Sequence, residues 1–137
     1  MSPGPVSVAP TLQTFLALDF GIKRTGVAVG NRLLCTAQPQ GTIQAEGAAR
    51  FVGIAQRIKE WQPDALVLGV PFHPDGAEHE NTLRARKFGR QLHGRFKLQV
   101  FEVDERYTTT EALSMGAKDA DAQAACIILE QFLRSIP

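Results

Sequence analysis

The stretch Leu16–Asn31, LALDFGIKRTGVAVGN, decides how this chain folds. Asp19 stands near the end of one apolar run, and Gly21, Lys23 and Arg24 follow it before a second apolar run begins. The β-rich segments FLALDF, from Phe15, and TGVAVG, from Thr25, separated by the Gly21–Arg24 turn, predict an antiparallel pair. Gly30 and Asn31 permit a tight turn, and RLLCTAQP, from Arg32, then reads as the third strand of a meander. A carboxylate buried alone in a central strand is costly, because desolvation favours its neutral form. Asp19 therefore needs compensation, either from a cation such as Lys23 or Arg24 or from a divalent metal held by several carboxylates.

Downstream the periodicity changes. Phe51, Ile54, Ala55 and Ile58 recur at helical spacing between Gly47 and Trp61, and Pro63-Asp64 ends that element. ALVLGV, Ala65 to Val70, is a continuous apolar run expected of a strand covered on both faces. PFHPDGAEHEN reads as a loop, with a surface role expected for His73. A second helix is predicted from about Glu78 to His93, burying Leu83, Phe88 and Leu92. KLQVFEV gives a fifth strand ending at Asp104-Glu105-Arg106. Thr108 and Glu111 form a capping-box pattern that opens a short helix, and a last helix is expected over Ala120–Leu133 with Ala124, Ile127, Ile128 and Phe132 on its apolar side. The order predicts an α/β fold: a mixed five-stranded sheet, three antiparallel strands then two parallel, flanked by helices.

Residues 1–14 carry three prolines and no charge and read as a flexible N-terminal arm, leaving residues 15–137 as one domain. That length, with 44% hydrophobic residues, suffices for a single core. The apolar runs fall short of the roughly 18 residues a membrane span needs. The N-terminus lacks a basic-then-apolar signal layout, so a cytoplasmic location is expected. Cys35 and Cys126 have no metal-ligand spacing and are expected as buried thiols. A net charge of +1, from 15 basic and 14 acidic residues, creates no overall field for nucleic acid. Locally, Arg84, Arg86, Lys87, Arg90, Arg95 and Lys97 form a positive segment without an acid among them. By charge alone that segment is either a solvated helix face or a phosphate-binding patch.

In open α/β sheets the chemistry gathers at strand ends. Three acids fall there: Asp19 near the end of the first strand, Glu105 after the fifth, and Asp121 at the start of the last helix. Taken singly, Asp121 could compensate the helix N-terminus and Glu105 could pair with Arg106 or Lys118. Taken together, three converging carboxylates supply the oxygen ligands that Mg²⁺ or Mn²⁺ prefer.

The segments LALDFGIKRTGVAVG, LVLGVP with the following DG, ARKFGRQL, VDERYTTTEAL and DAQAACIILEQFL resemble, in order and spacing, the YqgF/RuvX proteins, a bacterial family with the RNase H-like fold. The likeness spans nearly everything from Phe15 to Leu133. It implies a metal-dependent nuclease, described both as a Holliday junction resolvase and as the nuclease maturing the 5′ end of 16S ribosomal RNA, with Asp19, Glu105 and Asp121 as its catalytic, metal-binding acids around two ions. It also implies a nucleic-acid substrate, with Lys23, Arg24, Arg84, Lys87 and Arg106 as candidate phosphate contacts. A resolvase cutting paired strands would act as a homodimer, whereas an RNA-trimming nuclease would not need to. One departure is the short SMGAKDAD segment that ends at Asp121, where many relatives carry a longer loop. Two other readings stand beside this one. DFGIKRTG also resembles the first phosphate loop of actin, Hsp70 and sugar kinases, which would imply a nucleotide-binding module, and a nuclease fold without activity could serve as a ribosome-assembly factor.

Overall fold

The structure, a computed structural model, describes residues 8–72, 75–104 and 120–136. Five strands and three helices occur among them in the order β1 (Thr14–Phe20), β2 (Thr25–Asn31), β3 (Thr36–Ile43), α1 (Ala48–Trp61), β4 (Ala65–Val70), α2 (Glu80–Phe96), β5 (Val100–Asp104) and α3 (Ala120–Ser135). The sheet order is β3-β2-β1-β4-β5, antiparallel from β3 to β1 and parallel from β1 through β4 to β5. This is the mixed sheet expected from the sequence. The segment with Thr108 and Glu111, and His73, lie outside the described residues.

β1 is central because both of its faces are apolar, and strand alternation sorts its residues between two cores. Phe15 and Ala17 join Ala28, Val67, Phe101 and the α3 residues Ile128 and Phe132 on one face. Leu16 and Leu18 join Val27, Leu66, Leu68, Phe51, Ile54, Phe88 and Leu92 on the other, under α1 and α2. In β2 the residues facing α3 are small: Gly26, Ala28 and Gly30 alternate, and helix and strand approach closely along them. A Cβ on Gly30 would lie 2.7 Å from Leu129 Cδ2. TGVAVG is thus both a strand and the seat of the last helix.

Several expectations are corrected by local physics. β3 begins at Thr36, not Arg32, because β2 runs on through Asn31 and the Asn31 side chain then takes over the turn. Its Oδ1 accepts the N–H groups of Leu33 at 2.7 Å and Leu34 at 3.3 Å, an Asx turn that holds Arg32–Cys35 out of the ladder. Cys35 closes that turn with φ 54° and is exposed, so only Cys126 is the buried thiol expected; desolvation pushes the Cys126 thiol up to about 11. Leu83 is 60% exposed rather than buried. It precedes Phe88 by five residues, about 140° around a helix of 3.6 residues per turn, whereas the buried stripe is Ala85, Phe88, Gly89 and Leu92. α2 starts at Glu80, two residues later than expected, where His79 caps it: its Nδ1 accepts the Asn81 N–H while Thr82 Oγ1 accepts the His79 N–H.

The expected arm is packed over its described part. Val8 is buried in the core under α3, with Leu12 against it, and Thr14 already belongs to β1. Asp64 fixes this end of the strand, its Oδ2 accepting the N–H groups of Gln13 and Thr14 at 2.8 and 2.9 Å. Those two bonds hold the Asp64 carboxyl below its usual range. Among the described residues no helix is long and apolar enough to cross a membrane.

Candidate active site

The carboxyl ends of β1, β4 and β5 lie side by side. Asp19 pairs in register with Gly26 of β2 on one side and Gly69 of β4 on the other, while Val70 of β4 pairs with Asp104 of β5. Both neighbours of Asp19 are glycines, so neither paired strand sets a side chain beside its carboxylate. By alternation from Phe15 and Ala17, Asp19 projects on the α3 side of the sheet, where it is half-buried.

Gly26 brings the second acid to the first. A Cβ on Gly26 would lie 1.9 Å from the Asp121 carbonyl oxygen and 2.9 Å from the Ala122 nitrogen, so the first turn of α3 rests directly on the Gly26 backbone. Only glycine permits this approach. Asp121 therefore lies, in the first turn of its helix, beside the residue that pairs with Asp19. A carboxylate in the first turn of α3 is also favoured by the partial positive charge of the helix N-terminus.

Arg24 meets an acid that the sequence reading does not pair with it. It pairs with Asp121, Nε to Oδ2 3.1 Å, the two side chains 63% and 29% exposed. The turn that carries it is closed by the Gly21 N–H donating to the Arg24 carbonyl at 2.9 Å. Arg24 thus orients an acid on this face, and at such exposure the pair is worth at most about 1 kcal/mol of stability. Lys23 is exposed beside it.

Arg84 and Lys87 are not near these acids. They stand on α2, which covers the opposite face of the sheet, and Arg84 is engaged by Glu80 at 2.6 Å and by Asn81 Oδ1 at 3.1 Å. Arg86, in the same positive segment, pairs with Glu78 at 3.0 Å and Glu102 at 3.6 Å. Glu105 and Arg106 lie outside the described residues. Asp104, half-buried at the end of β5, is an acid at the same sheet edge that sequence reasoning misses in favour of its neighbour; its position as the last residue of an apolar strand is the available signal.

Among the described residues no three His, Cys, Asp or Glu side chains are grouped closely enough to hold a metal ion. The donor chemistry nevertheless fits one class of ion. Asp19 and Asp121 offer only carboxylate oxygens on one face of the sheet, with no thiol or imidazole beside them in the paired strands, and hard divalent cations take that kind of ligand.

Comparison with known proteins agrees with this architecture. A family model described as "RuvX: Holliday junction resolvase" matches residues 13–135. A protein of Albidiferax ferrireducens named "Putative pre-16S rRNA nuclease" is 82% identical over 137 residues, covering 98% of this chain and 88% of that protein. A protein of the same name from Polaromonas sp. is 72% identical over 126 residues, covering 92% and 91%. Among solved structures, Thermus thermophilus RuvC in complex with a Holliday junction substrate superposes with a TM-score of 0.53 at 14% identity, covering 88% of this chain and 93% of RuvC. Archaeoglobus fulgidus Pelota gives 0.51 at 9% identity, covering 90% of this chain and 34% of Pelota. At these identities the structural likenesses bear on the fold, which is the RNase H-like one expected.

Proposed function

Because this chain belongs to the RuvX Holliday junction resolvase family, we propose that it is a divalent-metal-dependent endonuclease that hydrolyses phosphodiester bonds of structured nucleic acid, with the 5′ end of the 16S ribosomal RNA precursor as its main substrate. The observation that carries this reading is that Asp19 pairs with Gly26 in the sheet while the Asp121 backbone rests on that same glycine. The precursor is favoured as substrate by relatives that bear that name at 82% and 72% identity over most of their length.

In this reading Asp19 and Asp121 hold Mg²⁺ or Mn²⁺ together with Glu105, the residue that follows β5. When bound, a pair of such ions supplies an activated water and stabilises the leaving oxygen of an in-line attack on phosphorus. Arg24 keeps the Asp121 carboxylate turned toward β2 and offsets part of its charge. Lys23, exposed on the same turn, meets a backbone phosphate of the substrate, as does Arg106, and these contacts position the strand without reading its bases. With glycine at positions 26 and 69 no side chain of the paired strands stands beside Asp19, and the space over Gly26 is taken by the first turn of α3.

Cleavage should then require a divalent cation and no nucleotide. Mg²⁺ and Mn²⁺ accept octahedral oxygen ligation and should support it, whereas Ca²⁺, with longer and less regular contacts, should bind but support it poorly. Side-by-side assays on a precursor 16S RNA and a four-way DNA junction, in chelator, Mg²⁺, Mn²⁺ and Ca²⁺, check both parts. Faster cutting of the RNA in Mg²⁺ or Mn²⁺ is the expected result. Equal cutting in chelator would remove the metal, and cutting of the junction alone would remove the ribosomal substrate.

A further inference from the structure

The other face of the same sheet edge carries a second polar site. Phe20 follows Asp19 and, by alternation, turns toward α1 and α2. Beside it a cavity of about 390 Å³ opens between the amino end of α1 and the middle of α2, with Arg50, Arg84, Lys87 and Arg95 in its wall together with Phe20 and Phe51. Among the described residues its lining holds four cations and no acid. Two acids outside the lining act on these cations: Glu80 pairs with Arg84, and Glu46 acts on Arg50 from the loop before α1.

The cations differ in how firmly they are held. Arg50 is 4% exposed and fixed: it donates to the carbonyls of Ile22 and Ala45 and lies over the rings of Phe20, 4.7 Å, and Phe88, 5.3 Å. Burial lowers the Arg50 pKa, with Glu46 only partly offsetting the loss of water. Such a cation gains from an anion brought next to it. Arg95 stacks 4.1 Å over Phe51, and Lys87 is exposed with no ion pair among the described residues. Gly47 and Ala48 open α1 in the same wall; Gly47, with φ 61°, gives the helix no side-chain cap, and no acid stands in the first turn. The first-turn N–H groups therefore add a partial positive charge beside the four side chains.

We propose that this cavity binds a phosphate of the substrate strand, so that the strand crosses the carboxyl edge of β1 with the reacting phosphodiester on the Asp19 side and an anchoring phosphate on the Phe20 side. The assignment deepens the nuclease reading and rests on it. Asp19 and Phe20 are consecutive, which puts the two sites on opposite faces of one edge, and the Arg50 bond to the Ile22 carbonyl ties the cavity to the turn that carries Lys23 and Arg24. Free phosphate esters such as ADP offer the same chemistry, and the experiment separates the two sources.

The test is fluorescence anisotropy with a labelled single-stranded RNA oligonucleotide in Ca²⁺ across a salt series. It compares wild type, Lys87→Gln, and the double variant Lys87→Gln/Arg95→Gln, with thermal midpoints taken alongside. Lys87 is exposed, so the single variant keeps the fold. Affinity should fall roughly tenfold for each cation removed, and the salt slope should shrink by about 1 for each. In cleavage assays the same variants should raise KM and leave kcat near wild type. Unchanged RNA affinity and salt slope in the single and double variants overturn the proposal. So does an outcome in which the double variant loses ADP binding yet keeps RNA affinity, which makes the cavity a free-nucleotide site. A protein that binds RNA through the cavity but cuts nothing would refute the nuclease reading and leave the cavity standing.

Discussion

Asp19→Asn should lower cleavage by roughly 10²–10⁴-fold while leaving the fold and RNA affinity close to wild type. Asn keeps the shape of the side chain but removes the charge that holds a hard cation. Metal ions stabilise developing charge in such reactions by several kcal/mol, and each 1.36 kcal/mol is a factor of ten in rate. The substitution should not harm packing, because Asp19 is half-buried between two glycines of the neighbouring strands. Single-turnover cleavage in Mn²⁺, with circular dichroism as the fold control, measures this. Wild-type rates in the variant would remove Asp19 from the site.

Gly26→Ala should be nearly as damaging by a different route. The added Cβ would lie 1.9 Å from the Asp121 carbonyl oxygen, a backbone atom that cannot swing aside. The first turn of α3 must move outward, taking Asp121 away from Asp19. Overpacking of this kind costs about 1–3 kcal/mol, and an ångström of misplacement in a catalytic group can cost on the order of 10²-fold in rate. Gly94→Ala is the control: nothing lies within 4 Å of a Cβ there, so the helix should gain slightly from the substitution. Activity lost in Gly26→Ala and kept in Gly94→Ala is the expected pattern. Full activity in Gly26→Ala would show that the α3 turn need not sit where the structure puts it.

The sheet was readable because its signals are local. Apolar residues on both faces of β1 and β4 mark them as central, and the Gly21–Arg24 turn announces the first hairpin. β3 was displaced by four residues because the Asn31 side chain, rather than a Gly30-Asn31 turn, ends β2. Pro39 lies inside β3 and is tolerated there since β3 is an edge strand. The site was readable only in part. Asp19 and Asp121 stood out as acids at the boundaries of apolar elements, but the role of Gly26 depends on a helix about a hundred residues further along the chain. The Arg24–Asp121 pair crosses the same gap, so sequence alone offered Arg24 only to Asp19 or to the substrate. The positive segment on α2 was visible as composition. Its division was not, because Arg84 and Arg86 are engaged by glutamates from before the segment and from β5, while Lys87 and Arg95 share a cavity with Arg50 of a different helix. Glu105 and Arg106, expected from the sequence, lie outside the described residues.

Asp19 and Asp121, with Glu105, are proposed to form one metal site, and binding to a native site raises stability by linkage whether or not the protein is turning over. The direct measurement is the thermal midpoint across a Mn²⁺ series, started from chelator, for wild type, Asp19→Asn and Asp121→Asn. The midpoint of wild type should rise with Mn²⁺, and that rise should be lost or much reduced in both variants. Equal rises in all three proteins would contradict a shared site formed by these carboxylates.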